Sequence, residues 1–221
     1  MVQGIFSRRV NRRLAEIEID GEMFGTYISN GIEMSFLKNG AACFLREAIN
    51  PNRRTPFDLY SVYDQDTLVC VDAKEPLHVA EKWCAGKLAD EFGKQIPLYT
   101  DVIGMSLLAM NMKSHNLTIQ VMGTSFIKNR IAYLPEIPST ALNERLTWLL
   151  WAKKSGQDPR LLFVACRDDA EAFSANREVD PYFADLLLKV KKAGVPVEAL
   201  ACSVDESGMK ADRIIPVQYE D

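Results

Sequence analysis

The constraint that bears hardest on this chain is a change of hydrophobic period at Pro76. Before it, short strand-like runs recur at close intervals. Ala15 to Asp20 alternates, with Ala15, Ile17 and Ile19 on one face and Glu16, Glu18 and Asp20 on the other. Asp20-Gly21 closes that run as a hairpin turn. Met23 to Ile28, Ala41 to Arg46, Asp58 to Tyr63 and Leu68 to Asp72 read as further strands, punctuated by Ser29-Asn30-Gly31, Asn39-Gly40 and Asn50-Pro51-Asn52. Short strands at this density, with no helical period among them, suit a small barrel or sandwich.

After Pro76, Leu77, Ala80, Cys84, Leu88 and Phe92 recur at helical spacing, and Gly93 follows as a stop. A strand is expected over Ile96 to Ile103, then a hairpin over Met105 to Met122 around Lys113-Ser114-His115-Asn116. A loop centred on Ser114 and His115 would set Ala109 opposite Gln120 and Leu107 opposite Met122. One face of the hairpin then carries Leu108, Met110, Met112, Leu117, Ile119 and Val121, and the other Leu107, Ala109, Asn111, Thr118, Gln120 and Met122. Ser139 is placed to cap a helix over Thr140 to Lys154. Leu161 to Cys166 suits a strand covered on both faces. Asp180-Pro181 is an N-cap and first-turn proline, opening a helix that ends at Gly194. Val195 to Cys202 and Arg213 to Gln218 read as the last strands. Strands alternating with helices predict a sheet with helical layers. The fold class is therefore α+β in two domains, residues 1–75 and 76–221.

A net charge of −4 does not describe a generic basic nucleic-acid binder, so any such binding needs a local patch. Arg8, Arg9, Arg12 and Arg13 offer one, with no acid among the first 13 residues, and Arg46, Arg53 and Arg54 add to it if the fold brings them near. The plainer reading is a solvated basic arm beside Glu16, Glu18, Asp20 and Glu22. Cys43, Cys70, Cys84, Cys166 and Cys202 lack any CxxC spacing, and with only His78 and His115 they give no zinc signature. They read as buried thiols in a reducing cytoplasm. No apolar run approaches the roughly 20 residues of a membrane span, and no secretory h-region is seen. A cytoplasmic protein without membrane partners is expected; a homo-oligomer is left open. Asp168 and Asp169 resemble a metal pair, but the better reading makes them acids at a helix N-terminus. Glu136 alone does not make a hard-cation site.

Several short motifs, in order, resemble the sugar fermentation stimulation protein (SfsA) family. They are Arg9-x-Asn11-Arg12-x-Leu14, Ser29-Asn30-Gly31 with Gly40, and Arg53-Arg54-Thr55-x-Phe57-x-Leu59. The C-terminal set is Phe173, Asp180-Pro181-x-Phe183-Ala184, Gly194-Val195, Ala199 and Pro216-Val217. The resemblance implies an N-terminal OB-like β-barrel and a C-terminal restriction-endonuclease-like domain of the PD-(D/E)xK type. It also implies DNA binding or metal-dependent nuclease activity.

The departures from the family fall on the chemistry. Its Ser-Arg-hydrophobic-Asp-Phe segment aligns with Ser106, Leu107, Leu108, Ala109 and Met110, and its Glu-x-Lys with Gln120-Val121-Met122. Pro135-Glu136 keeps the family's Pro-Asp in type, followed by Ser139, Thr140, Ala141 and Leu142. Hydrolysis of a phosphodiester by this fold needs carboxylates for a divalent cation and a lysine beside them. Ala109, Gln120 and Met122 supply neither, so the expectation is a degenerate site, no enzyme, no metal and no cofactor. The leading function is then a nucleic-acid-binding protein, DNA foremost, with a regulatory role among its uses. It would hold phosphates with Arg9, Arg12, Arg53 and Arg54, and stack bases on Phe24, Tyr27 and Phe57. The alternatives are an interaction module that has left nucleic acid altogether, or a nuclease with relocated acids at Asp101 or Glu136 and Lys113 or Lys128.

Overall fold

The computed structural model describes residues 1–50, 52–92, 99–100, 107–112 and 115–219, with backbone alone at 92, 99–100, 107–112 and 115–116. Six strands come first: β1 (Val2–Asn11), β2 (Leu14–Ile19), β3 (Glu22–Tyr27), β4 (Ala42–Glu47), β5 (Phe57–Asp64) and β6 (Thr67–Cys70). The order β3-β2-β1-β4-β5 closes on itself where Thr26 and Tyr27 pair with Phe57 and Asp58, which gives a five-stranded barrel. Closure leaves β1 to β5 without a free edge. Ala15, Ile17, Leu45, Leu59 and Val62 fill the interior. The Asp20-Gly21 turn forms as expected, both residues at positive φ, between the paired Ile19 and Glu22.

The basic N-terminal run is not a solvated arm. It is β1, a central strand of the barrel held by β2 on one side and β4 on the other. Alternation hid it, because only Gly4 and Phe6 of its ten residues are buried and a bulge near Arg8 breaks the period.

The second half begins with α1 (Glu75–Phe92) and continues through β7 (Tyr99–Thr100), β8 (Leu107–Met112), β9 (His115–Thr124), β10 (Ile127–Lys128) and β11 (Ile131–Leu134). Then come α2 (Thr140–Lys154), β12 (Asp158–Ala165), β13 (Ala172–Ala175), α3 (Pro181–Lys192), β14 (Val197–Asp205), β15 (Gly208–Ile215) and β16 (Val217–Gln218). The main sheet runs β15-β14-β12-β9-β8-β7, with β9, β12 and β14 parallel at its centre. A smaller sheet, β10-β11-β13-β16, lies beside it. Leu117, Ile119 and Val121 of β9 pack with Val79, Cys84 and Leu88 of α1. Met122 belongs instead to the core built with α2 and α3. The two faces of β9 thus serve two cores, as the alternation of its residues requires.

Both predicted caps form. Ser139 accepts from the Leu142 N–H at 3.3 Å and Asp180 from the Phe183 N–H at 3.0 Å. Gly194 takes positive φ just after α3. Three expectations need correction. The hairpin register differs by two: Ala109 pairs with Thr118 and Leu107 with Gln120, and Met112 pairs with His115. Only two residues then join the arms, the commonest hairpin length, and the shift by an even number preserves the facing sets. Asp168 and Asp169 do not open a helix, since β13 follows them. The final strand starts earlier, at Gly208, and Pro216, which has no N–H to give, separates it from β16. Of Ile96 to Ile103, the described residues are Tyr99 and Thr100, as β7. Ser106 and the rest of that segment lie outside the described residues.

Candidate interdomain site

Gln120 and Met122 occupy adjacent positions on one face of β9. Gln120 is wholly buried between β8 and β12, paired in register with Leu107 and Leu161. Neither its amide oxygen nor its amide nitrogen has a hydrogen-bond partner, and the Thr118 hydroxyl two residues earlier has none either. A buried amide in this state costs on the order of 1–3 kcal/mol. Met122 is 2% exposed and packs in the same core as Leu134, Leu146 and Phe163. Ala109 stands at the register position of Thr118 on β8.

The C-terminal half of β9 then forms the floor of a cleft of about 540 Å³ between the barrel and the second domain. Met122, Gly123 and Thr124 line it from the sheet, Leu142 and Arg145 from α2, and the 29–32 loop of the barrel from across. Gly123 is needed where it stands. A Cβ there would lie 2.8 Å from Cβ of Pro76 and closer still to its Cγ, so only glycine lets α1 start against β9. Arg145 falls inside the Leu142-Leu146-Leu149 stripe of α2, and burial lowers the pKa of its guanidinium while leaving it cationic. Arg13 also lines the cleft and donates to the Ser29 carbonyl.

Two ion-pair clusters join the barrel to the second half of the chain near the cleft. Arg167, its side chain 4% exposed, donates twice to Asp169 at 2.6 and 2.8 Å, to Asp64 of β5 at 3.0 Å and to the Ser125 carbonyl at 3.2 Å. Burial works against the Asp169 carboxylate, but Arg167 outweighs it and holds that group below the ordinary aspartate range. In the second clamp Arg46 of β4 lies 3.9 Å over the Tyr60 ring and donates to Glu75 at 2.5 Å at the start of α1. Desolvation of Glu75 is likewise overcome by Arg46, with His78 assisting, so its pKa is lowered. The Cys70 N–H donates to the Cys166 carbonyl at 2.9 Å, joining β6 to the end of β12.

Glu136 sits just before α2. Burial raises its pKa to about 7, and a hydrogen bond from the Ser125 backbone offsets only part of that. Of the other relocated-acid candidates, Lys128 pairs with Glu178 at 3.6 Å on the surface. Asp101 and Lys113 lie outside the described residues.

The sequence-predicted arginines divide by environment. Arg9 donates to the carbonyls of Ile32 at 2.6 Å, Arg12 at 2.9 Å, Asn30 at 3.0 Å and Asn11 at 3.1 Å, so it braces the 30–32 loop. Arg53 is tied to Asp58 and the Thr55 carbonyl, with Tyr27 5.3 Å beneath its guanidinium. Arg12 is exposed beside Gly31 at the rim of the cleft, and Arg54 is exposed. Arg46 joins a clamp, away from any patch. Of the proposed stacking rings, Phe24 and Phe57 meet edge-on at 5.5 Å over the barrel core. Arg145 and Glu75 were missed. The readable signals were a cation inside an apolar helical stripe and an acid before the first-turn proline of α1.

A closed OB-type barrel braced against a mixed sheet with helices on both faces defines a two-domain α+β protein. Two family models match it, "SfsA N-terminal OB domain" over residues 8–71 and "Sugar fermentation stimulation protein RE domain" over residues 104–208. The chain belongs to the sugar fermentation stimulation protein (SfsA) family. It is 28% identical to the homologue from Carboxydothermus hydrogenoformans, covering 98% of this chain and 96% of that one. It is 29% identical to the Clostridium perfringens homologue, covering 92% and 91%. The structure of Pyrococcus furiosus SfsA in complex with Ca2+ superimposes with a TM-score of 0.86 at 20% identity, covering 98% of this chain and 95% of that one. Among the described residues, no helix is long and apolar enough to cross a membrane.

Proposed function

We propose that this protein binds nucleic acid along the interdomain cleft without cutting it. The observation that carries the reading is the cleft itself: Arg13 and Arg145 line it above a β9 whose residues 120 and 122 are a neutral amide and a thioether. Phosphates would meet guanidinium groups there. Among the described residues lining the cleft there is no lysine, and β9 gives it no carboxylate. Arg12, exposed beside the rim residue Gly31, extends the charged lining; Arg54 is an exposed arginine on the barrel, and Arg9 braces the 30–32 loop.

The calcium of the Pyrococcus relative prompts a test of fit. Calcium takes six to eight oxygen ligands. Among the described residues no group of three or more His, Cys, Asp or Glu could hold a metal ion. Gln120 adds one amide oxygen, and Met122 is a soft donor. The described residues do not fit that ion, and no step is routed through it.

The decisive experiment is a gel-shift titration with single- and double-stranded DNA and RNA across a salt series, with a parallel cleavage assay in magnesium and manganese. Binding is expected with a log K against log salt slope of about −2 to −3 for a single strand. Changing Arg12→Ala or Arg54→Ala should flatten that slope by roughly 0.7 each. Absence of binding at low salt refutes the binding reading. Cleavage that follows the purified protein and is lost in Glu136→Gln refutes the non-cutting one.

A further inference from the structure

Two half-exposed rings, Phe126 and Tyr133, belong to none of the hydrophobic clusters that build the two domains. Their centroids are 6.3 Å apart and their planes inclined at 51°. The strand ends that carry them are stitched together. The Thr124 hydroxyl donates to the Tyr133 carbonyl at 2.7 Å and accepts from the Phe126 N–H at 3.2 Å. The Tyr133 N–H donates to the Phe126 carbonyl at 3.1 Å. The rings form one wall of a cavity of about 190 Å³ whose other wall is the turn from β13 into α3.

That turn is fixed as well. The Asn176 N–H donates to the Leu134 carbonyl at 2.8 Å, and its carbonyl accepts from Asp180 at 2.9 Å and Val179 at 3.1 Å. Asn176 is only 9% exposed and lines the cavity. A nearly buried amide residue lining a preformed concavity, beside two rings outside any core, gives an aromatic pocket with a polar group placed to orient a ligand. At the rim Lys128 and Glu178 pair at 3.6 Å while remaining well exposed. A surface pair of this kind is worth little and yields readily to a phosphate.

We propose that this cavity receives a single unstacked nucleobase. The base stacks on one of the two rings and meets the other, inclined to it, edge-on; its own edge is met by the donor and acceptor of the Asn176 amide, and Lys128 takes the attached phosphate. An amide pairs well with the adenine edge, which offers one acceptor beside one donor. Stacking on aromatic rings tolerates any base. The pocket therefore accepts all four bases and ranks adenine first. The inference deepens the nucleic-acid reading, since a strand held in the cleft is one source of the base; a free mononucleotide is the other.

The test uses the full chain and three probes: single-stranded DNA carrying one 2-aminopurine, a wholly abasic oligonucleotide of the same length, and adenosine monophosphate. Stacking should quench the 2-aminopurine. The abasic strand should bind at least about fivefold more weakly than the base-bearing one. Phe126→Leu, Tyr133→Leu and Asn176→Ala should each remove quenching and weaken base-bearing probes by about fivefold or more, with the abasic strand unaffected. Thermal melts of the variants identify any that fail to fold, and Tyr133→Phe should keep the quenching. If the protein binds DNA but all three variants quench as the wild type does, the pocket is refuted and the nucleic-acid reading stands. If no strand binds yet adenosine monophosphate does, lost in Asn176→Ala, the pocket holds and the strand reading falls. Binding of neither refutes both.

Discussion

Replacing Glu136 with glutamine should stabilise the protein above about pH 4.5, with most of the gain reached by pH 7. The carboxyl titrates near 7 in the fold, against about 4.5 for an ordinary glutamate, because burial disfavours its charged form. Each pH unit of displacement corresponds to about 1.4 kcal/mol, so the full effect is about 3 kcal/mol, reduced to about 2 where water reaches the group. The direction follows from proton binding. Below the unfolded value both states hold the proton and nothing is lost. Between the two values the native state retains it while the unfolded chain has released it, so stability falls as pH rises through the folded pKa. Glutamine keeps an acceptor for the Ser125 N–H and never ionises. Urea denaturation of both proteins at pH 5, 6, 7 and 8 should give a stability difference of only about 0.5 kcal/mol at pH 5. At pH 8 it should grow to about 2 kcal/mol in favour of Glu136→Gln, about 4–8 °C in melting temperature for a chain of this size. A difference that stays constant across that range would refute the burial argument. A wild type that gains stability with rising pH relative to the variant would place a cation beside Glu136.

Arg167→Met should cost about 2–3 kcal/mol in urea denaturation, because its two aspartates lose their partner but stay partly hydrated; an unchanged midpoint would deny that this clamp joins the domains. Gly123→Ala should destabilise by about 1–3 kcal/mol through overlap with Pro76, and Gly123→Ala with Pro76→Ala should recover part of it; equal costs for the single and double variants would refute the contact. Met122→Lys should lower stability by several kcal/mol, with Gln120→Glu restoring a portion in the double variant. Additive losses would mean that the two side chains do not share a face.

The barrel and the layered second half were legible because their signals are local. Alternation in β2, the Asp20-Gly21 turn and the caps at Ser139 and Asp180 depend on a few neighbouring residues, and each formed as read. β1 was not legible, since a bulged barrel strand need bury only Gly4 and Phe6, and its arginines suggested solvent. β13 was hidden differently. Ala172, Phe173, Ser174 and Ala175 are all buried and short, and a four-residue run of mixed small residues carries no period. The site divides along the same line. Gln120 and Met122 could be placed on one face because an error of two in register preserves facing. The destinations of Arg9, Arg46 and Arg53 depend on carbonyls and acids from 2 to 29 residues away, which no spacing rule encodes.

The burial of Gln120 and Met122 adds a physical reason for their neutrality to the one drawn from catalysis. Met122 packs in the core shared with α2 and α3 and is 2% exposed where it meets the cleft floor, so a lysine there would give up that packing to reach the cleft. The same face of β9 already holds two polar side chains, Thr118 and Gln120, with no partners. A charge placed among them would add a desolvation cost of several kcal/mol to a site that already carries unsatisfied groups. In such an environment an isolated carboxylate or lysine, without the other beside it, would be costly, so neutral side chains are the stable choice. The cleft escapes that pressure. Its arginines enter from α2 and from the barrel, and the Arg167 and Arg46 ion pairs that join the two halves do not involve the side chains of β9.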